Sequence, residues 1–165
     1  MTLPGPRHTL VLPIATTCWS PPRQAARVDG LAFAPKPELH ITLVGSELGR
    51  ELQATFAPAF LDDALATALQ AQDWRFERSG ELRLLRKPGT GNDAPVAASI
   101  IELIALPAMA PFQQALGRLL GRQLPVPPPH VTLYTAGQAG GIGVPTATKL
   151  RAYTVRRLSP DALAG

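Results

Sequence analysis

The sequence predicts an α+β fold built mainly from antiparallel strands. Short segments rich in Val, Ile and Leu recur along the chain, and several of the connections between them are short enough for hairpins. Few segments have the spacing of an amphipathic helix, so helices and strands do not alternate as they do around a parallel sheet. With 165 residues, the chain has the usual size of one domain, and we expect a single domain over residues 1–165.

The predicted elements follow the order strand, strand, helix, three strands, helix, strand, strand. Proline should break the first helical region near Pro58, and Ser46 is a candidate N-cap for that region. Ser79 and Gly80 are expected to form a tight turn between two strands. The strands are predicted at His8–Thr16, Leu39–Val44, Trp74–Arg78, Glu81–Lys87, Val96–Ala105, His130–Thr135 and Lys149–Leu158, the helices at Glu47–Gln72 and Pro111–Arg122, and the loops at Thr17–Pro37, Lys87–Pro95 and Gly137–Gly143.

Composition limits the classes of function. A hydrophobic content of 45% supports a packed core, and a formal charge of +4 favours anionic partners, although solubility alone would explain such a charge. Cys18 is the one cysteine, which excludes an internal disulfide and a multi-cysteine zinc site. The segment Met1–Pro13 lacks the features of a signal peptide, and two prolines and Glu102 interrupt the longest apolar stretch, near Ile100–Phe112. We therefore expect a soluble, cytoplasmic protein that does not enter a membrane.

Two four-residue segments share one pattern, namely histidine, a β-branched apolar residue, threonine and leucine. These tetrads, HITL and HVTL, begin at His40 and His130 and contain two of the three histidines in the chain. Both lie on predicted strands, where residues two apart point to the same face and are separated by roughly 6–7 Å. Each tetrad should therefore present one imidazole and one hydroxyl, from Thr42 or Thr132, with its apolar side chains packed behind.

Paired imidazoles suit the cleavage of a phosphodiester. The reaction needs one group to remove a proton from the nucleophile and another to protonate the leaving oxygen, and histidine can do either near neutral pH. The hydroxyls of Thr42 and Thr132 can donate hydrogen bonds to the non-bridging phosphate oxygens. Neither tetrad contains a carboxylate that would repel a phosphate, and this chemistry needs no metal or other cofactor. A single His-x-Thr on a strand is usually an ordinary structural pair, but two matching copies favour catalysis.

Residues 38–45 (ELHITLVG) and 129–134 (PHVTLY) resemble the paired signatures of the 2H phosphoesterase superfamily, which includes the bacterial 2′-5′ RNA ligases, also called RNA 2′,3′-cyclic phosphodiesterases. The resemblance implies a bilobal fold with two pseudo-symmetric antiparallel β-sheets, helices outside, and one tetrad from each lobe facing a central cleft. It also implies that one histidine activates water while the other protonates the departing ribose oxygen. We assign His130 as the base and His40 as the acid.

The resemblance implies a metal-independent cyclic phosphodiesterase without a cofactor. Its substrate would be the 2′,3′-cyclic phosphate of an RNA end or a small cyclic nucleotide, and joining through a 2′-5′ linkage is the reverse type of chemistry at the same site. The proline-rich segment between Thr17 and Lys36 aligns poorly with the superfamily, which leaves the substrate open. The alternatives are a module that binds RNA or nucleotide phosphate without turnover, and a small-molecule phosphoesterase unrelated to RNA. We expect a monomer.

Further residues are candidates for substrate contacts. Tyr134 follows His130 by four positions, which predicts that it lies on the same face and could stack on a base. Trp19 could cover a nucleobase from the predicted loop. Arg86, with its neighbours Arg83 and Lys87, could contact a substrate phosphate, although a solvated strand edge explains these cations equally well.

Two other features have a simpler explanation. His8 is expected to be an ordinary strand histidine, although a third catalytic role is conceivable. Residues 140–143 (GGIG) lack the Lys-Ser/Thr and the helix start of a phosphate-binding loop. We therefore predict that this segment is a flexible connector.

Overall fold

The computed structural model describes residues 8–87 and 96–163. The described residues form an α+β fold with antiparallel strands, as the sequence predicts. The strands are β1 (Leu10–Pro13), β2 (Ala26–Val28), β3 (Leu31–Pro35), β4 (His40–Val44), β5 (Glu77–Lys87), β6 (Ala97–Ala105), β7 (His130–Ala136) and β8 (Thr154–Leu158). The helices are α1 (Ser46–Thr55), α2 (Pro58–Gln70), α3 (Met109–Leu120), α4 (Ala147–Tyr153) and a short 3-10 helix, Pro160–Leu163. The predicted loop from Lys87 to Pro95 falls outside the described residues except for Lys87, as do residues 1–7 of the N-terminal segment.

The strands pair in the order β1-β4-β7-β6-β5-β8, and every described pairing is antiparallel. Strand β7 is central because it pairs with β6 along one edge and with both β3 and β4 along the other. Its Tyr134 lies opposite Pro35 of β3, and its Val131 lies opposite Ile41 of β4. The segment between β3 and β4 therefore leaves the edge of β7 and returns to it a few residues later.

The main core lies behind the strands that hold the tetrads. Ile41 and Val131 are completely buried there, together with Leu65 of α2 and Phe112 and Leu116 of α3. Burying a side chain of this size contributes about 1.5–3 kcal/mol relative to exposing it. The core thus fixes β4 and β7 from one side of the sheet.

A second, smaller cluster covers the other face of the sheet. It joins Leu85 of β5 and Ile101 of β6 to Ile142, Val144 and Leu150, which come from the loop after β7 and from α4. Ile142 and Val144 are only 3% and 5% exposed. The glycine-rich segment is therefore anchored by its apolar residues and is not the flexible connector that the sequence predicts.

The helices are short. Pro58 begins α2 and separates it from α1, as predicted, because proline fits the first helical turn but not a helix interior. Ser46 is the first residue of α1 and makes no side-chain cap, so the N-cap is Gly45. None of the helices in residues 8–87 and 96–163 is long and apolar enough to cross a membrane.

Three predicted elements are wrong in type. Ser79 and Gly80 do not reverse the chain, because Gly80, at a φ of +73°, lies inside the continuous strand β5, where the pairing with β6 shifts register. The predicted loop Thr17–Pro37 contains the β2–β3 hairpin, whose Asp29 and Gly30 both have positive φ. The predicted last strand begins as α4 and becomes extended only in β8.

Candidate active site

Strands β4 and β7 lie side by side and hold the two tetrads. Ile41 is paired antiparallel with Val131, and both side chains are fully buried. The other apolar tetrad residues, Leu43 and Leu133, are 1% and 6% exposed. The apolar positions of both tetrads therefore point into the core, as predicted, and support the polar positions rigidly.

The polar positions of the tetrads meet on the other face. In an antiparallel pair, the residues on either side of a matched pair also lie opposite each other, so His40 faces Thr132 and Thr42 faces His130. Side chains that lie opposite each other share one face of the sheet, with Cβ atoms roughly 4.5–5.5 Å apart. All four are half-buried. The two imidazoles and two hydroxyls thus form one diagonal cluster that remains accessible to a ligand.

The ring of His130 is oriented by a backbone hydrogen bond. Its Nδ1 lies 2.9 Å from the carbonyl oxygen of Pro128. Because a carbonyl can only accept, Nδ1 carries the proton, and Nε2 of the neutral ring keeps its lone pair. Burial lowers the pKa of His130; the bond to Pro128 opposes this shift, and the nearby His40 adds to it. His130 is therefore suited to accept a proton at Nε2.

The ring of His40 lies among charged side chains. Burial is the largest cause of its lowered pKa, and the nearby ammonium of Lys36 lowers it further, while Glu38 has the opposite effect. A lowered pKa makes the protonated ring a stronger acid, which suits the donation of a proton to a leaving group. The two imidazoles thus have different surroundings, since a backbone carbonyl orients one and an ammonium lies near the other.

The loop after β7 lies against the hydroxyl cluster. A Cβ atom on Gly141 would lie 2.9 Å from Oγ1 of Thr132, so the backbone of this loop passes directly over the threonine side chain. The backbone N–H of Ile142 donates to Oγ of the buried Ser99, at 3.4 Å. Glycine at 141 therefore allows the close approach, and the hydrogen bond to β6 keeps the loop in place.

Trp19 and Tyr134 line a cavity that does not include the polar residues of the tetrads. Both line a cavity of about 560 Å³ together with Arg78 and Glu102, and none of the tetrad histidines or threonines lines it. Trp19 is only 6% exposed, and the guanidinium of Arg78 lies 3.9 Å from its ring centroid. Trp19 is thus part of the packed wall of another cavity and not an exposed cap beside the tetrads.

A register shift explains the position of Tyr134. Ile101 of β6 pairs with Thr132, but its neighbour Ile100 pairs with Tyr134, so β7 carries an extra residue, Leu133, at this point. The extra residue turns Tyr134 to the face of Glu102, which is paired with Val131. The predicted position of Tyr134 on the face of His130 is therefore wrong.

The structure places Arg86 near the far end of β5. It is exposed and lies opposite Ala98, whereas His130 lies opposite Leu103, toward the other end of β6. No described contact brings Arg86 to the tetrads. Its neighbour Arg83 lies opposite Ile101 on the face of Thr132, but Glu81 occupies its guanidinium at 3.0 Å. A role for Arg86 in binding substrate stays a prediction without support from its position.

The third histidine is separate from the site. The ring of His8 forms a hydrogen bond with the side chain of Gln53 on α1, and Leu10–Pro13 is the part of the predicted first strand that forms β1. His8 precedes β1 in a turn, with a φ of +53°, so its expected position on a strand is wrong. His8 therefore offers a natural control position for experiments on the tetrads.

The sequence matches no protein-family model, no curated protein and no solved structure. The resemblance to the 2H phosphoesterase superfamily therefore depends on the paired tetrads alone and stays a prediction. Among the described residues, no three or more His, Cys, Asp or Glu side chains are grouped so that they could hold a metal ion.

Proposed function

We propose that this protein is a metal-independent cyclic phosphodiesterase of the 2H type that hydrolyses 2′,3′-cyclic phosphates at RNA ends or in small cyclic nucleotides. The observation that carries the proposal is the diagonal cluster of two imidazoles and two hydroxyls on one face of β4 and β7. The basic character of the chain, with a pI near 9.8, supports an anionic substrate. Ligation through a 2′-5′ linkage belongs to the same proposal as the reverse chemistry.

In the proposed reaction, the phosphorus lies between the two imidazoles. Nε2 of His130 takes a proton from water as the water oxygen forms a bond to phosphorus. The bond from phosphorus to one ribose oxygen breaks, and the imidazolium of His40 protonates that oxygen. Thr42 and Thr132 donate hydrogen bonds to the non-bridging oxygens, where negative charge increases in the transition state. Exchange of protons with solvent then restores both rings.

The proposal includes two lobes that meet at β4 and β7. Along this edge β7 is matched with Ile41 of β4 and with Ala34 and Pro35 of β3, whereas along its other edge it is matched with β6 at six positions. This narrow junction supports a division in which each tetrad belongs to its own lobe, with the cleft between them. We further propose that a single chain is the active unit, because both tetrads come from one chain.

Turnover should persist without metal. We expect the protein to open a 2′,3′-cyclic mononucleotide to a linear monophosphate in the presence of excess EDTA, because both proton transfers are assigned to histidine side chains. Product formation can be followed by chromatography, with His8→Ala as the control, since this substitution removes a histidine outside the cluster. Nucleotide binding without turnover would favour the non-catalytic binding module, and activity that disappears with EDTA and returns with a metal would contradict metal independence.

The rate should depend on pH in a bell-shaped manner. One imidazole must be neutral and the other protonated, and kcat/KM reports the ionisation of the free enzyme. Burial lowers the pKa of both His40 and His130 below the usual 6.5, so both rings lose their extra proton before the pH reaches that value. The maximum of kcat/KM is therefore expected below pH 6.5, with a decline on the alkaline side. A flat profile between about pH 5 and 9 would contradict the pair of histidines.

A further inference from the structure

Lys36 lies beside the second tetrad. Pro35 is paired with Tyr134, and the backbone N–H of Lys36 donates to the carbonyl of Leu133 at 2.8 Å. Lys36 therefore borders β7 at Leu133, next to Thr132, which faces His40. The chain leaves the edge of β7 at Lys36 and returns to it at His40.

The side chain of Lys36 extends over the face that carries the cluster. Its Nζ donates to the carbonyl oxygen of Ala139 at 3.1 Å, in the loop after β7. Two residues later, Gly141 of the same loop lies against Thr132. A Cβ atom at position 141 would be only 2.9 Å from Oγ1 of that threonine. The ammonium is thus placed on the side of the cluster formed by His40 and Thr132, in agreement with its electrostatic effect on His40.

The ammonium retains capacity for a ligand. It has three N–H donors, and Ala139 occupies one of them. The salt bridges within residues 8–87 and 96–163 do not include Lys36, which is half-buried. A fixed positive charge with free donors at this position can therefore meet an anion that lies on the two hydroxyls.

We propose that Lys36 is a phosphate-binding residue that contacts a non-bridging oxygen of the substrate beside Thr132. The inference rests on the proposed function and adds to it the one positive charge that the tetrads themselves lack. Thr42 and Thr132 offer neutral donors, and charge on the phosphoryl oxygens increases in the transition state. The ammonium of Lys36 provides the compensating charge from a position held by the loop after β7.

The test compares Lys36→Met with Lys36→Arg and with Lys149→Met. Lys149 is an exposed lysine on α4 whose ammonium lies 5.7 Å from the ring centroid of Tyr153, so it controls for the loss of one positive charge. We expect Lys36→Met to lower kcat/KM for a 2′,3′-cyclic mononucleotide roughly 10- to 100-fold and to weaken inhibition by inorganic phosphate. Lys36→Arg should recover most of both, and Lys149→Met should change neither by more than about twofold.

The ring of His40 provides a measurement that does not require turnover. Because the Lys36 ammonium lowers the pKa of His40, Lys36→Met should raise that pKa in an NMR titration, and Lys149→Met should not. If the native protein turns over substrate and Lys36→Met changes neither kcat/KM nor phosphate inhibition, the role of Lys36 is refuted while the proposed function stands. If the native protein has no turnover, the proposed function fails, and phosphate binding that depends on Lys36 but not on Lys149 would still support the anion site.

Discussion

Replacing either tetrad histidine should reduce kcat/KM by about 10²–10⁴, the usual contribution of one positioned proton transfer. His130→Asn is the more informative variant of His130, because an amide nitrogen can keep the hydrogen bond to the carbonyl of Pro128 while the group that accepts the proton is lost. His40→Ala removes the proposed acid. Kinetics with a 2′,3′-cyclic mononucleotide, measured at the optimal pH of the native protein, give the size of each loss.

The double variant distinguishes a pair that acts as a unit from two independent groups. If His40 and His130 serve one concerted step, the loss in the double variant should be close to that of the worse single variant and far below the product of the two. His8→Ala should retain full activity, since its ring is bonded to Gln53 away from the cluster. Activity within about threefold of the native protein in either single variant would refute the assignment of that histidine.

Arg78→Met should destabilise the fold by about 3 kcal/mol, the largest expected effect on stability. The carboxylate of Glu102 is only 3% exposed and accepts two hydrogen bonds of 2.9 Å from the guanidinium of Arg78. Removing Arg78 leaves a buried charge without its partner, which costs far more than the pair itself contributes. Urea denaturation measures the change in the free energy of unfolding.

Two further variants control this prediction. Arg75→Met removes a salt bridge to Asp73 of 2.7 Å in which both side chains are mostly exposed, so it should leave the midpoint of urea unfolding almost unchanged. Replacing Arg78 and Glu102 together by methionine should recover much of the loss, because no buried charge then remains unpaired. Equal effects of Arg75→Met and Arg78→Met would show that the burial of Glu102 does not determine the cost.

The elements that hold the tetrads could be predicted from the sequence because their signals are local. The alternation within His40–Leu43 and His130–Leu133 specifies strands with one polar and one apolar face, and Pro58 specifies the break between the helices. The prediction that the two tetrads lie side by side rests on their matching pattern, because no local signal in the sequence indicates which strands pair. The structure pairs Ile41 with Val131, and this pairing brings the two tetrads together.

Two of the errors come from the register between neighbouring strands of the sheet. A glycine after a serine is compatible with a turn or a bulge, and only the neighbouring strand β6 determines that Gly80 lies in a bulge. The predicted face of Tyr134 is wrong for the same reason. The extra residue in β7 can be identified only from the register of β7 with β6. Lys36 carries no motif of its own, and its position follows from β3, whose hairpin the Asp29-Gly30 pair could have indicated.

The near twofold relation of the tetrads has a consequence for how a substrate is oriented. Rotating the cluster by half a turn exchanges each imidazole with the other and each hydroxyl with the other, so the motif by itself cannot distinguish the two ends of a phosphodiester. The orientation of the substrate must therefore depend on the different surroundings of the two rings. The carbonyl of Pro128 lies behind the ring of His130, whereas Lys36 and the glycine-rich loop lie on the side of His40. Substitutions in these flanking groups should therefore affect which ribose oxygen departs more than substitutions of the threonines, which serve both directions alike.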